Sequence, residues 1–229
     1  VPSVKVIDIV RRAEYILMDS GVRWPRVELQ NWINEAYMSI VLIRPDANAK
    51  AGTFTCAAGT RQDLTAQFPT ALRILDVTRN LAATSSKKVV RLVERGDLDD
   101  QMPDWHGHTA TVNIQFWAYD ARQPKQFFVY PPALDTAELE MVYSDAPGTH
   151  ALTEGDLDPD GANTEVIKLD DIYMSPIVDW VLYRAYSKDA ENAANEARAN
   201  AALQSFQMAI GAKSQSDTAS APHNASTVT

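Results

Sequence analysis

Apolar residues recur with a helical period at both ends of this chain and with a strand-like pattern between them. An amphipathic helix pair cannot bury its apolar stripe alone, so the two ends have to find each other across the inserted segment. Val6, Val10, Ala13 and Leu17 step by four, three and four, one face of an α-helix, and Asp19-Ser20-Gly21 supplies its stop. Pro25 suits a second helix start, because its missing N–H costs nothing in the first turn. Leu29, Ile33, Ala36, Ile40 and Ile43 then follow on one face until Pro45, whose ring disfavours helical geometry at Arg44. Near the other end, Ile177, Val181, Leu182, Ala185 and Tyr186 form a third stripe, entered through Ser175 as cap and Pro176 in the first turn. A fourth helix spans about Ala190 to Ile210, with Ala199, Leu203, Phe206 and Ile210 on one face and Gly211 as its stop.

Between these pairs the period changes. Thr53–Cys56, Arg73–Thr78, Val89–Val93, Thr111–Tyr119, Gln126–Tyr130 and Ala137–Tyr143 are short and rich in β-branched or aromatic residues, which are strand signals. The fourth and fifth read as a hairpin, with Pro131-Pro132 ending its second strand, and a helical turn fits around Asp97 to Gln101. The expected fold class is α+β: a four-helix bundle from the N- and C-terminal helix pairs, with an inserted antiparallel β-sandwich or barrel-like domain projecting from it. The expected boundaries are 1–48 for the first helical hairpin, 49–148 for the β insert, 149–171 for an acidic loop, 172–211 for the second hairpin and 212–229 for a polar tail. That tail has no Leu, Ile, Phe, Tyr or Trp. It cannot offset its own ordering entropy, and is expected to order only on a partner.

The formal net charge of −9 argues against wide contact with nucleic acid, which needs a basic footprint. One cysteine, Cys56, makes no internal bridge, no apolar run is long enough for a membrane span, and the first residues lack a signal-peptide layout, so a soluble product of a reducing cytoplasm is expected. There is no phosphate-binding glycine pattern, no nucleophile elbow and no metalloprotease helix, so an enzyme is not expected, nor a cofactor.

Glu154, Asp156, Asp158, Asp160, Glu165, Asp170 and Asp171 crowd one stretch against Lys168 alone. Asp156, Asp158, Asp160 and Gly161 match the first half of a calcium loop, but Ile167 stands where the bidentate Glu belongs, so the stretch reads as a solvated acidic loop without a complete ligand set. His106 and His108 beside Asp104 likewise lack a second ligand pair, and a surface loop with a buried Trp105 is the simpler reading. Trp117, Tyr119, Phe127, Phe128 and Tyr130 could form a sugar platform, although on alternating strands such residues more often pack the core. Arg184 and Lys188, one turn apart, are candidates for ion pairs within their helix or with a neighbouring subunit.

The order of several motifs resembles the head-to-tail adaptor (connector, tail tubular-like) proteins of tailed phages. They are Trp32-Ile33-Asn34-Glu35-Ala36-Tyr37 leading to Ile43-Arg44-Pro45-Asp46-Ala47, then Val77-Thr78-Arg79-Asn80, Pro103-Asp104-Trp105-His106 and Phe127-Phe128-Val129-Tyr130-Pro131-Pro132. Trp180 to Glu191 and a helix ending in Phe206 and Gly211 complete the series. The resemblance implies a structural protein of the virion neck, assembled in the host cytoplasm as a ring, typically of twelve copies. It would lie beneath the portal protein, carry DNA through its channel without sequence-specific binding, and meet a tail nozzle or tail-tube protein below. It also implies that the C-terminal helix and tail dock on the portal or a neighbouring copy, which points to Leu203, Phe206, Met208, Ile210, Lys213 and Val228. The alternatives are a virion-surface carbohydrate-binding β module gripping through Trp117, Tyr119 and Phe128, and a calcium-stabilised structural module.

Overall fold

The computed structural model describes residues 2–158, 160–189 and 193–220, in two compact units. Val1–Arg44 and Pro147–Thr229 form a helical unit, and Pro45–Ala146 forms a β unit.

The helical unit contains α1 (Val6–Leu17), α2 (Arg26–Ile43), α4 (Met174–Lys188) and α5 (Ala193–Ser220), so the N- and C-terminal helices pack together as their stripes require. Helix α4 touches each of the other three. Its Ile177, Val181 and Ala185 are buried, as are Val6, Val10 and Ala13 of α1 and Leu29, Ile33, Ala36 and Ile40 of α2. The stop after α1 begins at Met18, which takes the left-handed conformation with φ 54°, and Gly21 follows at φ 80°. Before α4, the Asp170 carboxylate accepts from the Ile172 N–H at 3.1 Å. It caps a short 3-10 turn (Asp171–Tyr173) that runs into the helix, so the entry lies upstream of Ser175 and Pro176.

Helix α5 does not stop at Gly211; it continues to Ser220. Gly211 is absent from the positive-φ residues, and the helix formers Ala212 and Gln215 follow it with no proline before Pro222. A lone glycine costs about 1 kcal/mol in a helix, too little to end one without a breaker beside it. Packing of α5 on α4 runs antiparallel. Arg198 lies over the Tyr186 ring, Ser205 donates to Asp179 at 2.8 Å, and Phe206 packs against Trp180 with ring centroids 5.0 Å apart. That register carries residues beyond Ile210 past Met174, the first residue of α4.

The β unit holds β1 (Ala49–Thr55), β2 (Gly59–Asp63), β3 (Ala71–Asn80), β4 (Arg91–Leu92), α3 (Arg95–Gln101), β5 (Phe116–Tyr119), β6 (Gln126–Ala133) and β7 (Glu138–Asp145). They form two sheets, ordered β1-β7-β3 and β2-β6-β5-β4. The expected β5–β6 hairpin is present, with Trp117 opposite Val129. One core joins Phe54, Val77, Leu139 and Met141 of the first sheet to Trp117, Phe127 and Val129 of the second. Alternation along β5 and β6 sends Ala118, Phe128 and Tyr130 to the other face, where Leu98 of α3 and Trp105 cover them.

Four expectations need correction. No barrel closes among the described residues, since β1 pairs with β7 and β2 with β6, and never with each other. The second sheet is mixed, because β4 runs parallel to β5. Only the last four residues of Thr111–Tyr119 are strand. Strand β6 passes through Pro131 and Pro132, which donate nothing but still accept; the Pro132 carbonyl takes the Thr111 N–H at 2.9 Å.

Phe206 is 1 % exposed and Met208 67 %. Phe206→Ala is therefore expected to cost about 3–5 kcal/mol of unfolding free energy, and Met208→Ala less than about 0.5 kcal/mol. Urea melts of the two variants check the contrast.

Candidate functional site

A polar seam ties the acidic stretch to α2. Gln30 and Asn34, one turn apart on α2, use their amides as substitutes for a neighbouring strand. Asn34 Nδ2 donates to the His150 carbonyl at 3.0 Å and its Oδ1 accepts the His150 N–H at 2.9 Å. Gln30 Oε1 accepts the Leu152 N–H at 2.8 Å. Glu154 then caps the first turn of α2, accepting from the Arg26 and Val27 N–H groups at 2.7 and 3.0 Å. A carboxylate there meets orphan donors and the positive end of the helix dipole.

His150 lies at the centre of the seam, with its side chain fully buried. One ring nitrogen is 2.9 Å from the Tyr37 hydroxyl and the other 2.6 Å from Glu165. Glu165 also accepts from Lys168 Nζ at 2.8 Å. Burial is the largest influence on His150 and holds its pKa below 6.5, against the opposing pull of Glu165. Glu165 is held below its ordinary 4.5, first by Lys168 and then by His150. Burial raises the Tyr37 phenol, and pushes the Cys56 thiol up to about 12. The shifts of His150, Glu165 and Tyr37 keep those groups in single protonation states near neutral pH, which suits a structural network; Cys56 belongs to the core of the β unit.

The remaining acids of the stretch also have local work. Asp156 accepts from Thr153 Oγ1 and N–H, Asp158 lies 3.6 Å from Arg26, and Asp171 holds Ser3 and Val4 at 2.6 to 3.0 Å. Beside it residues 4 to 6 pair antiparallel with 165 to 167. Among the described residues no three of Asp, Glu, His or Cys converge as metal ligands; Asp156 accepts from Thr153, and Asp158 accepts the Asp160 N–H at 3.1 Å.

Arg184 and Lys188 reach across to a neighbouring helix of the same chain rather than to acids of their own helix. Arg184 lies 3.0 Å from Glu35, and Lys188 2.6 Å from Glu28, so both join α4 to α2. Helices α2 and α4 run close enough for the two cations, one turn apart, to meet two acids seven residues apart. Of the expected docking residues, Phe206 and Ile210 are buried within the chain, Leu203 is half-buried and Met208 is exposed. The Lys213 side chain and Val228 lie outside the described residues.

Of the sugar-platform candidates, Tyr119, Phe128 and Tyr130 are half-buried. Trp117 and Phe127 are core, and Phe128 lies beneath the Arg95 guanidinium at 4.8 Å. Trp105 is fully buried and donates to Asp99 at 2.8 Å. His106 and His108 diverge, one to Thr60 at 2.8 Å and the other to Tyr130 at 3.1 Å. No helix among the described residues is long and apolar enough to cross a membrane.

Two comparisons bear on these features. A family model described as SU10 adaptor protein matches residues 4–226, across both units. No curated protein matches the chain.

The unfolded chain binds a proton on His150 near pH 6.5 and the folded chain resists it, so the unfolded state gains protons first and stability falls as pH drops below that value. Thermal melts from pH 7 to 5 are expected to show this fall. His150→Gln, which cannot titrate, is expected to melt lower at pH 7 by the equivalent of about 1–3 kcal/mol but to show a flatter profile across that window. Glu154→Ala is expected to cost about 1 kcal/mol at any pH in the same range.

Proposed function

Because the chain belongs to the SU10 adaptor protein family, the head-to-tail adaptors of tailed phages, we propose that copies of it form a ring beneath the portal and join the capsid to the tail. The ring, typically of twelve copies in such adaptors, extends the channel through which DNA leaves, and its lower face meets a nozzle or tail-tube protein. The protein acts there as a structural part of the virion neck and performs no catalysis.

The observation that carries this reading is the family match over residues 4–226, which takes in both helix pairs and the β unit in order. Helix α5 supports the docking role. It is anchored by Phe206 and Ile210 and then runs about 15 Å further, at 1.5 Å per residue, through residues 211–220. That extension has no apolar side chain larger than alanine, so α4 does not require it and a partner can. A net charge of −9 also suits a wall past which DNA slides, since like charge prevents adhesion. Repetition around a ring adds avidity to a weak contact per copy.

Electron microscopy of the protein mixed with its portal tests the reading: closed rings on the portal are expected, with monomers in dilute solution without it. Deleting residues 212–229 is expected to weaken portal binding about tenfold or more and to leave the thermal midpoint unchanged. Unaltered portal binding by the shortened chain overturns the docking role, and the absence of any ring overturns the adaptor geometry.

A further inference from the structure

A groove of about 690 Å³ in the β unit lies between residues 86–91 and 113–116. Its walls are preset by one buried side chain. Asn80, with no exposed surface, donates from Nδ2 to the Lys88 carbonyl at 2.9 Å and to the Ile114 carbonyl at 2.8 Å. Its Oδ1 accepts the Ile114 N–H at 2.8 Å. Asn113 Oδ1 accepts the Ser86 N–H at 2.6 Å, and Phe116 is stacked on Tyr130, 6.2 Å between centroids. A groove held this way has little ordering cost left for a ligand to meet.

Its chemistry departs from that of the rest of the chain. Lys87, Lys88 and Arg91 line the groove with no Asp or Glu among its lining residues, in a chain of net charge −9, and Arg95 follows just beyond it. Lys87 and Arg95 are spent internally. Lys87 takes the left-handed conformation at φ 57° and turns its ammonium onto the Leu81 and Ala82 carbonyls. Arg95 lies over Phe128 and beside Asp99. Lys88 and Arg91 are exposed and have no anionic partner among the described residues, whereas Lys50, Arg79 and Arg122 of the same unit each hold a carboxylate. Between and beside the two cations, Val89 is 66 % exposed and Leu92 62 %. Buried Val90 separates Val89 from Arg91, so alternation turns both outward.

We infer that this groove docks an extended acidic peptide segment of a partner protein, one whose carboxylates alternate with apolar side chains. Lys88 and Arg91 supply charge-assisted hydrogen bonds to its carboxylates. Val89 and the edge of Phe116 cover its apolar side chains, and the Asn113 and Gln115 amides face its backbone. The exposed Val89 and the edge of Phe116 separate this occupant from a nucleic acid, whose backbone presents phosphate and sugar and gains nothing from them. The inference does not depend on ring formation.

Fluorescence anisotropy of the full chain provides the test. The probes are a labelled synthetic peptide of alternating Asp or Glu with Leu or Val, its Asn/Gln counterpart, and a short duplex DNA. The acidic peptide is expected to bind at least about tenfold tighter than its amide counterpart, the equivalent of one charge-assisted hydrogen bond. Lys88→Glu with Arg91→Glu is expected to abolish that binding and Val89→Ser to weaken it, while Arg122→Glu, a cation outside the groove, leaves it unchanged. Unaltered circular dichroism melts of the variants confirm that the fold is intact. Equal affinity for both peptides, tighter binding of DNA lost in the same double variant, or self-association through the groove without peptide binding each overturns the inference.

Discussion

Helix α4 is the surface on which the helical unit closes. Its Ile177, Val181 and Ala185 are buried in a body that holds α1 and α2 from one end of the chain and α5 from the other. None of these helices carries enough apolar surface to be stable alone in water, where most helical stability comes from tertiary packing. The order is therefore dictated by burial: the first helical pair stays incomplete until residues far along the chain arrive. Folding of this unit thus includes a long loop closure, whose cost rises only slowly with length.

Hydrophobic packing sets which faces meet, and the acidic stretch sets where they stop. Glu154 supplies the cap that α2 lacks, because Pro25 offers no side-chain acceptor at that end. Gln30 and Asn34 hold residues 150 and 152 as a strand would, and Asp171 holds the chain start at Ser3 and Val4. Carboxylates that look surplus in composition are acceptors for backbone donors over a hundred residues away. Within the calcium-like pattern, Asp156 accepts from Thr153 and Asp158 lies 3.6 Å from Arg26.

Much of this architecture was legible from periodicity. The stripes of α1, α2 and α4 are regular, and Leu29 to Ile40 and Ile177 to Ala185 are buried as their spacing requires. The β5–β6 hairpin was equally plain, because both segments are short, aromatic and β-branched and are separated by a polar, proline-containing loop. What escaped has a common cause. Strand β2, with Thr60, Arg61 and Gln62, has little apolar content and exists through pairing with β6. The Asn34–His150 and Lys188–Glu28 partnerships depend on tertiary proximity, which leaves no local pattern; a helix-facing amide pair at i, i+4 was the faint signal available. Gly211 was misread because a glycine ends a helix only when the chain turns left-handed there. Exposed Met208 and buried Phe206 lie two positions apart on α5, so a docking face could not be assigned to both.

An adaptor joins parts by presenting rigid surfaces, and the two units present different ones: a helix running beyond its own support, and a groove whose walls share one buried asparagine. The helix is useful only if the body behind it is a single cooperative structure. Native-state hydrogen exchange on the isolated chain measures that directly. If α1, α2 and α4 close as one body, their slowest amides share one opening free energy and lose protection together as denaturant rises. Protection of α1 and α2 that persists after α4 has opened would contradict it.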